Sequence, residues 1–149
     1  QSALKQGSGL VNTNDGMDVA ICTIDTNKNE LNYAGAYRPL IVISNNQLNK
    51  ISADKYPIGG TQLEANRKFT NHKVNLQKGD VVYMYSDGFA DQFGGEKGKK
   101  FMIKKFNELL LTVQNKPMEE QHKILNNEFE MWKGNQPQVD DILVIGLKF

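Results

Sequence analysis

Cysteine is almost absent from this 149-residue chain: Cys22 stands alone, so no internal disulfide can form and no second thiol can complete a zinc site. That usage suits a reducing cytosolic compartment. Long apolar runs are missing too, the longest lying around Leu40 to Ile43, far short of the roughly 20 residues a membrane helix needs. No excess of either charge is present, with 18 Lys plus Arg against 17 Asp plus Glu. A formal charge of +1 supplies no field that would recruit nucleic acid or an acidic membrane, and the lysines are scattered apart from Lys97 to Lys100. Histidine occurs twice. The chain also begins at Gln1 without a methionine or a signal-peptide pattern, so it is expected to be a piece of a longer polypeptide.

What remains is ordinary globular material, 39% apolar and 23% charged, enough for one domain with a sizeable core. Residues 1 to 14 are polar and glycine-containing and read as a helix end running into a loop. From Asp18 to Ile43 the pattern is strand-like, broken at Asn27-Lys28-Asn29 and Tyr37-Arg38-Pro39, which predicts an antiparallel meander. Tyr56 through Arg67 predicts a surface loop, and Lys68 to Leu76 a strand. Lys78-Gly79-Asp80 turns into Val81 to Ser86, whose near-continuous apolar run predicts a central buried strand. Gly94 to Gly98 reads as a flexible loop. Beyond it the period changes to about three and a half, predicting one helix over Phe101 to Val113 and another over Met118 to Trp132, with His122 on the apolar stripe. Ile142 to Leu147 is a closing strand. The order implies an α+β layered domain with antiparallel sheet.

Several chemical motifs fail on inspection. Asp25-Thr26-Asn27-Lys28-Asn29 opens like a calcium loop, but Glu30 stands where glycine is needed and Ala36 where a bidentate glutamate is needed. A hairpin turn accounts for it. The glycines near Gly94 lack the Gly-Lys-Ser/Thr of a phosphate loop, and no nucleophile-elbow pattern surrounds Ser86. His72 and His122 read as packed or solvated. Two acidic sites are left: Asp87, followed by Gly88 and then Asp91, at the end of the buried strand, and Asp140-Asp141 before the last strand. If those strands are antiparallel neighbours, Asp87 and Asp140 share one rim, where a hard cation such as magnesium or manganese would offset their repulsion. Spacing alone favours reading each aspartate as a turn former or cap.

In order along the chain stand Asp15-Gly16-Met17-Asp18-Val19-Ala20, Tyr33-Ala34-Gly35-Ala36, Arg38-Pro39-Leu40, Pro57-Ile58-Gly59-Gly60, Lys78-Gly79-Asp80, Tyr85-Ser86-Asp87-Gly88-Phe89-Ala90-Asp91 and Asp140-Asp141-Ile142. This series resembles the SpoIIE-type branch of the metal-dependent, PP2C-like protein phosphatases from about residue 10 onward, in the version found at the C-terminus of bacterial sensor and regulator proteins. The resemblance implies a PP2C-like layered sandwich of antiparallel sheets and packed helices, truncated at its N-terminus. Residues 1–149 are then one partial domain, with 1–14 a remnant of an upstream helix and loop.

For function, the resemblance implies an enzyme that hydrolyses phosphoserine or phosphothreonine with water activated by two Mn2+ or Mg2+ ions. Asp87 and Asp140 are the implied metal ligands; Asp141, Gly88 and Asp91 are implied neighbours that support the site. The implied partners are a phosphorylated regulatory protein, such as an anti-sigma-factor antagonist, and an upstream sensor domain in the same chain, which could anchor the parent in a membrane. Neither nucleic acid nor membrane contact is expected of this segment. Its location is expected to be cytoplasmic, and a truncated sheet would favour a homodimer.

The family's first metal motif, an aspartate shortly before Gly-His-Gly, has no counterpart here, so this stretch alone is expected to be inactive and to hold one ion weakly or none. Ala36 also replaces a common histidine, and Leu143 a common threonine. A non-catalytic protein-binding module that keeps the fold is the alternative.

Overall fold

The computed structural model describes residues 16–59 and 67–149, which form two compact units. The expected helix-and-loop remnant over 1–14 and part of the expected loop from Tyr56 to Arg67 lie outside the described residues.

In the first unit, strand β1 (Gly16–Met17) is followed by β2 (Val19–Asp25) and β3 (Glu30–Ala36). β2 and β3 are antiparallel, with Val19 opposite Ala36 and Asp25 opposite Glu30. Their turn is stapled by Asp25, whose Oδ1 accepts from the backbone N–H of Asn27 (3.0 Å) and Lys28 (3.2 Å). A side chain spent on its own turn in this way is a turn former, not a calcium ligand. The motif residues Asp18 and Arg38 are likewise tied to each other, in a 3.0 Å ion pair. Cys22 is half-buried, and burial pushes its thiol up to about 11, which leaves it a poor nucleophile at neutral pH.

Strands β4 (Leu40–Ser44) and β5 (Gln47–Ile51) come next in the chain, followed by β6 (Ile58–Gly59), which pairs with β1, and β7 (His72–Asn75), which completes the order β2-β3-β7. The strand expected from Lys68 to Leu76 is therefore shorter than predicted. His72 stacks on Tyr33 with ring centroids 5.9 Å apart, so it is packed, as read from the sequence.

The meander needs correction. β4 does not continue the sheet of β2 and β3; it belongs to the second unit's sheet, ordered β11-β8-β4-β5, with β8 spanning Val81–Tyr85 and β11 Val144–Lys148. Leu40, Ile41, Val42 and Ile43 are all buried, so this strand needs cover on both faces and takes an interior place. β8 is interior too, as its apolar run predicts.

A four-residue helix, α1 (Gly88–Asp91), leaves the end of β8. Strands β9 (Phe93–Gly94) and β10 (Lys99–Lys100) then form an antiparallel hairpin where a flexible loop was expected. The reason is close packing: a Cβ on Gly94 would overlap the Trp132 carbonyl, and the Gly95 N–H donates to that same oxygen (2.8 Å). The glycines admit a neighbour more than they provide freedom.

Helices α2 (Ile103–Val113) and α3 (Met118–Lys133) fall within two residues of the ranges their periodicity predicts. Phe106, Leu110, Leu125 and Phe129 join Ile41, Ile43, Val81, Tyr83 and Tyr85 in one core, so both helices bury their stripes on one face of the β8 sheet. Phe89 sits at its centre, 4.9 to 5.2 Å from the rings of Phe101, Phe106 and Phe129. His122 is exposed, against the expectation of a place on the buried stripe. Its neighbour Gln121 is buried instead, because the Tyr83 hydroxyl inside the core needs a partner. Tyr83 donates to Gln121 Oε1 (2.5 Å), while Gln121 Nε2 donates to the carbonyls of Gln114 (3.1 Å) and Lys116 (2.9 Å). Burial pushes the phenol up to about 12, so it stays a donor across the physiological range.

Candidate metal centre

β8 and β11 are antiparallel, with Val144 opposite Tyr85. Continuing that register outward sets Asp87 opposite Ile142 and Gly88 opposite Asp141, so the two acidic segments emerge at the same rim of one sheet. Ser86 closes the junction. Its Oγ donates to the Asp141 carbonyl (2.8 Å) and accepts from the Leu143 N–H (2.9 Å), and its own N–H donates to the Leu143 carbonyl (2.9 Å). One hydroxyl thus stands in for a missing rung of the ladder.

Gly88 is buried, and a Cβ there would overlap the Asp141 carbonyl oxygen and lie 3.0 Å from its carbon and 3.1 Å from Ile142 Cγ1. Glycine at this position is what lets the two segments close on each other. Asp87 immediately precedes α1 with helical dihedrals (φ −76°, ψ −16°) and makes no side-chain capping bond to it. Its backbone is held by the Asp91 N–H (2.9 Å to the Asp87 carbonyl) and by the anchoring of Phe89 in the core.

The other arm is held by Gln92, whose side chain is fully buried. Its Nε2 donates to the Pro137 carbonyl (2.9 Å) and its Oε1 accepts from Val139 N–H (3.3 Å), fixing the approach to Asp140. Asp140 is exposed and turned back on its own segment: Oδ1 accepts from Asp141 N–H (2.7 Å), and its carbonyl accepts from Gln138 Nε2 (2.8 Å). Asp141 is exposed as well. Asp91 turns to Lys100, in a 3.2 Å ion pair. Ser86 and Gln92 are positioning residues that sequence reasoning missed. Ser86 was weighed only as a nucleophile, and no local pattern marks Gln92.

Carboxylate oxygens at one rim are the donor type a hard divalent cation takes. The number falls short: among the described residues no three His, Cys, Asp or Glu side chains gather as a cation site. The donor set therefore fits such an ion in kind and is incomplete for it.

The antiparallel α+β domain carries an acidic rim where Ser86-Asp87-Gly88 follows β8 beside the closing strand, and the comparisons place a domain of this kind among PP2C-like domains. The family model for Stage II sporulation protein E (SpoIIE) matches residues 5–149, and the chain belongs to that family. Among solved structures it is similar to the SiaA-PP2C domain of Pseudomonas aeruginosa, at 27% identity and a TM-score of 0.81, over 89% of this chain and 51% of that one. The PP2C phosphatase domain of SpoIIE from Bacillus subtilis, with a fragment of its regulatory domain, is similar at 18% identity and a TM-score of 0.68, over 89% of this chain and 37% of that one. A Mn-presoaked structure of the same Bacillus subtilis phosphatase domain gives 16% identity and a TM-score of 0.63, over 88% and 56%. These last two share the fold. The chain spans about half the length of the SiaA domain. No curated protein matches it. No helix among the described residues is long and apolar enough to cross a membrane.

Proposed function

We propose that this chain carries one half of a metal-dependent phosphoserine/phosphothreonine phosphatase centre, in which Asp87 and Asp140 contribute ligands to a shared Mn2+ or Mg2+. The observation that supports it is the junction at Ser86 and Gly88, which draws the Asp87 and Asp140-Asp141 segments together with two hydrogen bonds to one hydroxyl and a backbone approach only glycine admits. When bound, divalent ions of this kind lower the pKa of a coordinated water and offset phosphoryl charge. Every part of the rim in this chain is directed to holding carboxylates in place. Ser86 fixes the spacing of the two arms, Gln92 fixes the approach to Asp140, and Phe89 anchors the turn that carries Asp87. The remaining ligands come from outside the described residues.

The substrate in this reading is a phosphorylated regulatory protein, such as an anti-sigma-factor antagonist, with control by a sensor region of the same polypeptide, in the cytoplasm. The incomplete donor set favours a second reading, a non-catalytic module that keeps the fold and binds a partner. Metal-dependent release of phosphate from a phosphoserine protein by the full-length protein separates the two. Turnover that vanishes with EDTA and returns with Mn2+ is the expected result; no turnover above background with either ion contradicts the phosphatase reading. The 149-residue chain alone is expected to stay near background on p-nitrophenyl phosphate with manganese.

A further inference from the structure

The segment that joins α3 to Asp140 has no burial to hold it, because every residue from Gly134 to Asp140 is exposed. Such a segment keeps one position only where hydrogen bonds tie it to something rigid. Gln92 ties it at both ends. At the far end its side chain donates to the Pro137 carbonyl (2.9 Å) and accepts from the Val139 N–H (3.3 Å). At the near end, in the last turn of α3, the indole N–H of Trp132 donates to the Gln92 backbone carbonyl (3.0 Å). A loop closed at both ends on one buried residue moves with that residue.

Trp132 is itself held from several sides. Its carbonyl accepts from Gly95 N–H (2.8 Å), its ring meets Phe101 edge-on with centroids 5.3 Å apart, and Lys105 Nζ stands 4.0 Å from the ring centroid. Gly95 leaves the ring its room, since a Cβ there would come within 2.9 Å of it. The Gln92 carbonyl takes a second donor, Phe101 N–H (2.9 Å), so both of its lone pairs are used and its peptide plane is fixed. Packing against Phe101 and Lys105 asks only for an aromatic ring at position 132. The bond to Gln92 asks for the indole N–H, which phenylalanine lacks.

We propose that Trp132 is a positioning residue for Asp140, acting through Gln92. The indole bond fixes the Gln92 carbonyl, and the Gln92 side chain then sets where Pro137 and Val139, and with them Asp140, stand. The proposal rests on the reading of Asp140 as a metal ligand for the use made of that position. The position itself needs no metal.

Amide hydrogen exchange in EDTA, on the full-length protein that carries this sequence and on its Trp132→Phe variant, tests the position without metal. Exchange at Val139 should rise about fivefold, as expected for the loss of one hydrogen bond, while the amides of β8 and β11 keep their wild-type protection. In a Gln92→Met background the same change should add nothing at Val139, because the relay is already cut. Unchanged exchange at Val139, an equal rise throughout β8 and β11, or additive effects of the two substitutions overturns the proposal. Should Trp132→Phe fail to fold, the wild type decides: the Trp132 indole N–H and the Val139 amide should open together, and protection differing by more than about tenfold overturns the proposal. A manganese arm reads the consequence for Asp140. The Mn2+ concentration for half-maximal turnover should rise several-fold in Trp132→Phe, with kcat at saturating metal nearly kept; an unchanged half-saturation overturns the link to Asp140. A wild-type protein without turnover counts against the phosphatase reading, and the exchange result still decides the role of Trp132.

Discussion

Asp87→Asn and Asp140→Asn, each placed in a full-length protein that carries this sequence, should lower metal-dependent phosphatase turnover by about a hundredfold or more and leave thermal unfolding close to wild type. The asymmetry between activity and stability follows from where these side chains sit. Asp140 is exposed, and the bond its carboxylate accepts from the Asp141 N–H can be kept by asparagine. Asp87 makes no side-chain cap to α1, so the amide removes no helix-capping bond. Each change removes negative charge at the rim, on which a hard cation depends. Asp91→Asn is the internal control. Its carboxylate faces Lys100 in a half-exposed ion pair, an interaction of small worth, so the variant should retain most of its activity. Steady-state rates over a manganese titration, with calorimetry on the same samples, distinguish these outcomes. Equal losses for all three variants would mean the acidic patch acts as a general field and not as a site.

Gly88→Ala should be the most damaging small substitution in the second unit. The added methyl has no direction to move: a backbone carbonyl blocks it on one side and Ile142 Cγ1 lies 3.1 Å away on the other. Forcing the β8 and β11 ends apart would break both bonds of Ser86 Oγ and pull on Phe89 in the aromatic cluster. A cost of about 2 kcal/mol is expected from such overpacking, which in a chain of this length lowers the melting temperature by roughly 4 to 8 °C. Because the same movement separates the two acidic segments, manganese affinity should fall with stability, in contrast to the aspartate variants. A Gly88→Ala protein with wild-type melting and wild-type metal binding would show that the junction is looser than the Asp141 contact implies.

How much of this was legible in the residues depends on the kind of signal. The two helices were, because Phe106, Leu110, Leu125 and Phe129 repeat at a helical period and are buried as that period demands. The shared rim was also legible, because an apolar run followed by Ser86-Asp87-Gly88 and an acidic pair followed by a closing strand can be neighbours in only a few ways. The sheet change at β4 was not. Alternation tells which face a residue takes but not which strand it pairs with, and Leu40 to Ile43 read equally well in either sheet. Gln121 escaped for a related reason: its burial answers the Tyr83 hydroxyl, a demand made by a residue far away in the chain. Gln92 serves Pro137 and Val139, which lie 45 and 47 residues on, and no local pattern announces such a tie. The hairpin at Gly94 looked like a flexible loop because glycine marks freedom and close approach with the same letter.

In the proposed centre Asp87 and Asp140 face one cation. Adding substoichiometric Mn2+ to the 15N-labelled 149-residue chain and following paramagnetic broadening of its amide signals tests this most directly, because broadening reports proximity to the ion whether or not the chain turns over substrate. The amides of Asp87, Gly88, Asp140 and Asp141 should broaden first and together, and Asp140→Asn should abolish the effect at all four. Broadening centred on Asp25 or Asp91, or at Asp87 without Asp140, would contradict it.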